Sequence, residues 1–141
     1  METTLKWAGG AAFIGLSSSG HSVVFDGPPE GGGQNLGPRP MEMLLLSMAA
    51  CSTYDVVSIL KKSRENIAGC TVKISATRAE DHPRIFTDIH LHFVIEGEKI
   101  RAKNIERAIQ LSAEKYCSAS IMLGAIAKIT HDYELISTTG A

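Results

Sequence analysis

The stretch from Met41 to Lys62 constrains the fold of this 141-residue chain more than any other feature. Its apolar residues recur at helical spacing on two faces over the first half of the stretch, which predicts a long, central and buried helix. Pro38 and Pro40 disfavour helix just upstream. Lys61 and Lys62 suit the carboxyl end of a helix dipole. We therefore expect the rest of the fold to be built around this helix.

The remaining pattern predicts strands before the helix and both strands and helices after it. The predicted elements, in order, are strands at 4–8, 12–16 and 21–25, the helix at 41–62, strands at 70–78 and 85–96, helices at 102–116 and 118–125, and a strand at 128–137. This order predicts a single α+β domain over residues 1–141, with helices packed on antiparallel sheets.

Charge and composition exclude several classes of function. The net charge is −1 without any block of like charge, which argues against a nucleic-acid or membrane-surface partner. The longest apolar run, at 43–50, is too short to span a bilayer. The N-terminus has no basic region followed by an apolar stretch, as a secretory signal would. We therefore expect a cytoplasmic protein whose three cysteines are free or catalytic thiols.

Cys51 and Cys117 lie far apart in the sequence, each within an apolar helical segment. Both could be small buried hydrophobes, because free cysteine is among the most buried residue types. Alternatively they meet in the fold, where one thiolate attacks an electrophile and the other resolves the product into a disulfide. Cys117 precedes Ser118 at the start of a short helix, where the dipole would favour a thiolate. The residues alone leave both interpretations open, and Cys70 is expected to be structural.

Arg39 and Glu42 form a second candidate pair just before the Cys51 helix. A loop stiffened by flanking prolines could hold the Arg39 guanidinium over a thiol and lower the thiol pKa. Glu42 could pair with Arg39 bidentately and orient it. The alternative is a first-turn glutamate that serves the helix dipole, beside a solvated arginine.

Three histidines raise the question of a metal. His90 and His92 lie on one face of a predicted strand, and His131 from the last strand could join them in a zinc site. Solvent-facing histidines explain the same pattern. We therefore assign no metal ligands.

Two strings resemble the osmotically inducible protein C and organic hydroperoxide resistance family (OsmC/Ohr): GPRPMEMLL at 37–45, continuing to AACS at 49–52, and LSAEKYCS at 111–118. The resemblance implies an OsmC-like α+β fold in which antiparallel sheets wrap around a long central helix that carries Cys51. It also implies an intertwined homodimer with active sites near the subunit interface.

The same resemblance implies thiol peroxidase chemistry without metal, flavin or another cofactor. Cys51 would attack an organic or fatty-acid hydroperoxide and become a sulfenic acid, and Cys117 would resolve it to a disulfide. A dithiol such as a lipoyl group would recycle the enzyme, with Arg39 and Glu42 as further site residues. Better-known peroxidase branches carry a glutamate where this chain has Met41, and the acid here is Glu42. The alternative is a non-catalytic dimer that binds a hydrophobic small molecule or senses oxidants through its thiols.

Overall fold

The computed structural model describes residues 1–139 of the chain. It divides into two compact units, Met1–Leu45 and Leu46–Ala141. Each unit has its own three-stranded sheet. The α+β class is confirmed, whereas the single domain over residues 1–141 stays a prediction.

The first unit contains an antiparallel sheet in the order β1-β2-β3. Its strands are β1 (Thr4–Trp7), β2 (Phe13–Leu16) and β3 (Ser22–Phe25), each within one residue of its predicted limits. Every residue of β1 is exposed, and the side chains of Leu5 and Trp7 are among them. A strand whose apolar side chains are exposed to water in this way is a candidate surface for association with another chain.

Asp26 organises the glycine-rich loop that follows β3. Its side chain is buried, and its carboxylate accepts backbone N–H groups from Gly27 at 2.7 Å, Gln34 at 3.0 Å and Leu36 at 3.2 Å. The hydrogen bond from Gly27 is the largest effect on the pKa of Asp26 and lowers it, while burial acts in the opposite direction. Gly33 is required here, because a Cβ at that position would collide with the backbone carbonyl of Gly27.

The long helix α1 spans Pro40–Lys62, as predicted apart from one residue at its start. Proline is favoured at a first helical position because its missing N–H would be unsatisfied there anyway. Only one stripe of the helix is buried, and it consists of Met48, Ser52, Val56 and Leu60.

The prediction that α1 is buried on two faces is wrong for the single chain. Leu44 is 45% exposed and Tyr54 is 75% exposed, so the second face is open. By length and composition alone α1 could cross a membrane, since its mean hydropathy reaches 1.7 over the most apolar window. Core helices of soluble proteins meet the same criterion. A single helix of this kind is weak evidence for a membrane span.

The second unit is built on a sheet in the order β4-β5-β6. Its strands are β4 (Asn66–Arg78), β5 (Phe86–Glu98) and β6 (Lys128–Ser137). The alternation predicted for the central strand is present: Leu91 and Phe93 are fully buried, while the histidines between and beside them are not. β4 and β5 pair antiparallel.

The prediction of purely antiparallel sheets is wrong for the last strand. β6 pairs with β5 in parallel, with His90 opposite Thr130 and His92 opposite Asp132. A parallel pair needs a crossover connection of a dozen or more residues. The helical segment between β5 and β6 provides it, so this sheet is mixed.

The crossover contains three helical pieces where two were predicted. They are α2 (Ala102–Leu111), a π-helical turn (Ser112–Tyr116) and α3 (Ser118–Gly124). The predicted break falls at Cys117, which has an extended backbone with φ −78° and ψ 100°. Single π-helical turns are rare, and those that do occur are often found at functional sites.

Candidate active site

The two cysteines occupy different environments in the second unit. Cys51 lies in the middle of α1 and is half-buried, whereas Cys117 lies between the π-helical turn and α3 and is fully buried. Both are free thiols. A reagent from solution therefore reaches Cys51 more readily than Cys117.

The structure brings the two thiols together. The Cys51 side chain lies close enough to Cys117 to raise the pKa of the Cys117 thiol. Tertiary packing has thus placed side by side two sulfur atoms that are far apart in the sequence. Such a pair can form a disulfide within one chain, without a mixed disulfide to another molecule.

The Cys117 thiol is held in its protonated form at neutral pH. Burial is the largest effect on its pKa and raises it. The Ser120 hydroxyl, at 3.0 Å from Sγ, and the Ser120 backbone N–H, at 3.3 Å, both donate to the sulfur and lower the pKa. Cys51 raises it again, and the net shift is upward. The expectation that the helix dipole favours a Cys117 thiolate is therefore wrong, because burial outweighs the capping hydrogen bonds.

A buried hydroxyl network ties the two cysteine-bearing segments together. Ser52 and Ser112 are both buried, and their hydroxyl oxygens lie 3.1 Å apart. The Ser112 hydroxyl donates to Asp55 Oδ2 at 3.0 Å, so its oxygen is left to accept from Ser52. The Cys117 N–H donates to the Ser112 carbonyl at 2.9 Å, which closes the π-helical turn. Ser112 thus binds the π-helical turn to α1 next to Cys51 through its hydroxyl, and it holds the backbone of Cys117 through its carbonyl.

Sequence reasoning missed this network. Ser52, Ser112 and Ser120 looked like ordinary helix residues, although each is a hydroxyl on an otherwise apolar face. Their positions relative to the cysteines could have indicated a role. Ser52 follows Cys51 directly. Ser120 lies three residues after Cys117, which is the spacing between a helix N-cap and the residue that it caps. Nothing in the sequence pairs Ser52 with Ser112, since that contact depends on packing.

Arg39 and Glu42 lie in the first unit and make other contacts than the predicted bidentate pair. The Arg39 guanidinium donates to Asn35 Oδ1 at 2.6 Å and to the Gly37 carbonyl at 3.2 Å. The Glu42 carboxylate accepts the backbone N–H of Arg39 at 2.9 Å. The prediction that Glu42 orients the guanidinium is therefore wrong, because its carboxylate instead satisfies a free N–H at the start of α1. The action of Arg39 on a thiol stays a prediction.

The three-histidine zinc site considered as an alternative does not assemble. His131 faces the buried side of β6, where its ring stacks on Phe93 with centroids 6.4 Å apart. His90 and His92 face the other side and share Asp132 Oδ1, at 2.9 Å and 2.6 Å. Successive side chains of a strand alternate between faces, so the β5–β6 register pairs His131 with Leu91 and not with either histidine.

The fold and the two neighbouring cysteines are those expected of an OsmC-like protein, and comparison with known proteins identifies the same family. The sequence profile of the OsmC-like protein family matches residues 31–132. Protein YhfA of Escherichia coli strain K12 is 43% identical over 137 residues, covering 97% of this chain and 99% of that protein.

Solved structures agree with that relation. A hypothetical protein from Aquifex aeolicus VF5 is 32% identical, with a TM-score of 0.80 over 96% of both chains. An organic hydroperoxide resistance protein OsmC from Legionella pneumophila, also described as a predicted redox protein, has a TM-score of 0.70 at 15% identity, covering 95% of this chain and 97% of that one. The last likeness shows a shared fold. The chain belongs to the OsmC family, and its structural neighbours include both OsmC and Ohr proteins.

Proposed function

We propose that this protein is a cytoplasmic thiol peroxidase that reduces organic and fatty-acid hydroperoxides. The observation that carries the proposal is the proximity of the Cys51 and Cys117 thiols within one chain. Hydroperoxide resistance proteins among the structural neighbours support it. Two adjacent thiols allow oxidation to stop at a reversible disulfide.

The environments of the two thiols assign their roles. Cys51 is the accessible one, so it attacks the terminal oxygen of the hydroperoxide as a thiolate. The O–O bond breaks, the alkoxide takes up a proton and leaves as an alcohol, and Cys51 becomes a sulfenic acid. Cys117 then loses its proton and attacks the Cys51 sulfur, which expels water and forms the disulfide. An external dithiol such as a lipoyl group reduces the disulfide and restores both thiols.

Arg39 and Glu42 take supporting roles in this proposal. Arg39 supplies the positive charge that stabilises the attacking thiolate. Glu42 holds the start of α1 through the backbone of Arg39. Arg39→Lys should retain more peroxidase activity than Arg39→Gln, because lysine keeps the positive charge. Full activity in Arg39→Gln would remove Arg39 from the site.

The proposal includes a homodimer. The open face of α1, with Leu46 and Tyr54, and the exposed apolar side chains of β1 are surfaces that a second copy would cover. Sedimentation equilibrium should give twice the chain mass. A monomer at micromolar concentration would contradict this part of the proposal.

Thiol titration tests the chemistry. One equivalent of cumene hydroperoxide should remove two of the three thiols, counted after denaturation, and dihydrolipoamide should restore them over many turnovers. Cys51→Ser should abolish hydroperoxide consumption, and Cys117→Ser should leave a Cys51 that overoxidises. Cys70→Ser is the matched control and should behave as the wild type. Thiol loss without turnover would indicate an oxidant sensor instead, and undiminished activity of Cys51→Ser would reject the assignment.

A further inference from the structure

The outer face of the second sheet carries two matched rows of polar side chains on β5 and β6. The register places six of them opposite one another in pairs: Asp88 with Lys128, His90 with Thr130, and His92 with Asp132. Alternate residues of a strand share a face, so all six lie on the side of the sheet away from the buried Leu91 and Phe93. None of them takes part in the chemistry assigned to the thiols.

The His90 ring lies between a hydroxyl and a carboxylate. Its Nδ1 is 2.6 Å from the Thr130 hydroxyl oxygen, and its Nε2 is 2.9 Å from Asp132 Oδ1. The hydrogen bond from His92 is the largest effect on the pKa of Asp132 and lowers it, so this side chain is an anion at neutral pH and can only accept. His90 Nε2 therefore donates to Asp132. Because a neutral imidazole has one N–H, Nδ1 is left to accept the hydrogen bond from the Thr130 hydroxyl.

This polarity of hydrogen bonds is the one that activates a nucleophile. A general base accepts the proton of the attacking group while a third group holds the base in place, and the usual order is hydroxyl, imidazole, carboxylate. Thr130, His90 and Asp132 have that order. Such a triad is recognised by the geometry and roles of its members and not by their positions in the sequence. The three residues can therefore support acyl transfer.

A cavity of about 310 Å³ lies at the hydroxyl end of this triad, since its lining includes His90 and Thr130 but not Asp132. Thr130 is exposed, so a solute can reach its oxygen. Lys128 also lines the cavity, and its ammonium makes no ion pair with Asp88 or with any other carboxylate among residues 1–139. That charge is available to stabilise an oxyanion. The cavity is at the small end of the range for small-molecule sites, which favours a short acyl group.

We propose that Asp132, His90 and Thr130 form a second active site, which hydrolyses esters of short-chain carboxylic acids. The Thr130 oxygen attacks the acyl carbon while His90 Nδ1 takes up the hydroxyl proton. The bond between the acyl carbon and the alcohol oxygen breaks, the alcohol leaves with the proton from His90, and the acyl group stays on Thr130 as an ester. Water then gives a proton to His90 and attacks the acyl carbon. The carboxylic acid departs, and the proton on His90 returns to Thr130.

Hydrolysis of p-nitrophenyl acetate tests the site. Thiolates also attack this ester, so the parent protein is a thiol-free variant, Cys51→Ser/Cys70→Ser/Cys117→Ser. In that background Thr130→Val and His90→Ala should each lower kcat/KM about a hundredfold, which is the lower end of the range for general-base catalysis, because the site is open to solvent. Thr130→Ser should retain activity, since it keeps the hydroxyl.

The control is Thr71→Val, which removes the hydroxyl of an exposed threonine on the same face of β4 and should leave kcat/KM unchanged. Mass spectrometry of protein quenched with acid during turnover should find the acetyl group on the peptide that contains Thr130. Acetyl groups on lysines alone, or the same kcat/KM in Thr130→Val as in the thiol-free parent, would overturn the proposal.

The two activities are tested separately. Thr130→Val with its cysteines intact should consume hydroperoxide as the wild type does, because the triad shares no residue with the dithiol. A wild type that reduces hydroperoxides but does not hydrolyse the ester would reject the triad alone. Ester hydrolysis that depends on Thr130, in a protein without peroxidase activity, would support the triad and reject the thiol chemistry.

Discussion

The hydroxyl oxygens of Ser52 and Ser112 lie 3.1 Å apart in the interior of the second unit, and this contact connects the two halves of the dithiol. Ser52 is the residue after Cys51 on α1. Ser112 begins the π-helical turn whose last hydrogen bond holds the backbone of Cys117. Because both hydroxyls are buried, the contact cannot be exchanged for water without moving one segment.

Ser112→Ala should therefore weaken both the fold and the reaction. It removes the hydrogen bonds to Ser52 and Asp55 and leaves a buried polar group short of a partner, which costs about 1–3 kcal/mol in the free energy of unfolding. Urea denaturation measures that loss. Disulfide formation after oxidation of Cys51 should slow more than the initial oxidation, as followed by stopped-flow with excess hydroperoxide. The exposed Ser118→Ala is the matched control, and a variant that keeps both stability and rate would show that Ser112 does not position Cys117.

Ser120→Ala should raise the pKa of Cys117 further. The Ser120 hydroxyl donates to Sγ at 3.0 Å and lowers the thiol pKa, so its removal acts in the upward direction. The titration is best followed by ultraviolet absorbance of the thiolate in a background without the other two cysteines. Ser118→Ala again serves as control. A downward shift in Ser120→Ala would mean that the hydroxyl does not stabilise the thiolate.

Resolution of the sulfenic acid should depend steeply on pH. Only the Cys117 thiolate attacks, and burial raises the pKa of Cys117 above the usual value of 9.0. The rate of disulfide formation should thus rise about tenfold per pH unit between pH 6 and 8, because the thiolate fraction does so below the pKa. Single-turnover kinetics with dimedone trapping of the sulfenic acid would follow this step. A resolution rate independent of pH over that range would show that Cys117 is not the resolving thiol.

Asp132→Asn should lower stability in a pH-dependent way. The hydrogen bond from His92 is the largest effect on the pKa of Asp132 and lowers it below the usual 3.8, and His90 adds to it. A lowered pKa means that the folded state favours the carboxylate, so the contribution is present above pH 3.8 and is lost as pH falls through the folded value. The urea midpoints of wild type and Asp132→Asn should therefore differ at pH 5 and converge near pH 2. Glu134→Gln, on the same face of β6, is the comparison; a difference that persists at pH 2 would contradict the assignment to the carboxylate charge.

Local hydrophobic periodicity in the sequence determined much of the secondary structure of this protein. The stripe through Met48 and Leu60 indicates a long helix from the sequence alone, and the alternation around Leu91 and Phe93 indicates a strand with one buried face. The limits of β6, at Lys128 and Ser137, agree with the structure at both ends. These features could be predicted because each depends on residues within a few positions of one another. The strings around Cys51 and Cys117 also carried the family resemblance, which the comparisons confirm.

Tertiary structure decided what depends on distant residues. The parallel pairing of β6 with β5 and the placement of His131 away from His90 follow from a register that no local pattern specifies. The contact between Cys51 and Cys117 depends on a helix crossover and a buried serine pair. The upward shift in the pKa of Cys117 has the same origin, because burial is a property of the packed chain and reverses what the nearby helix alone would favour. The sequence thus determined the elements that carry Cys51 and Cys117, and packing determined the neighbours of both residues and the raised pKa of Cys117.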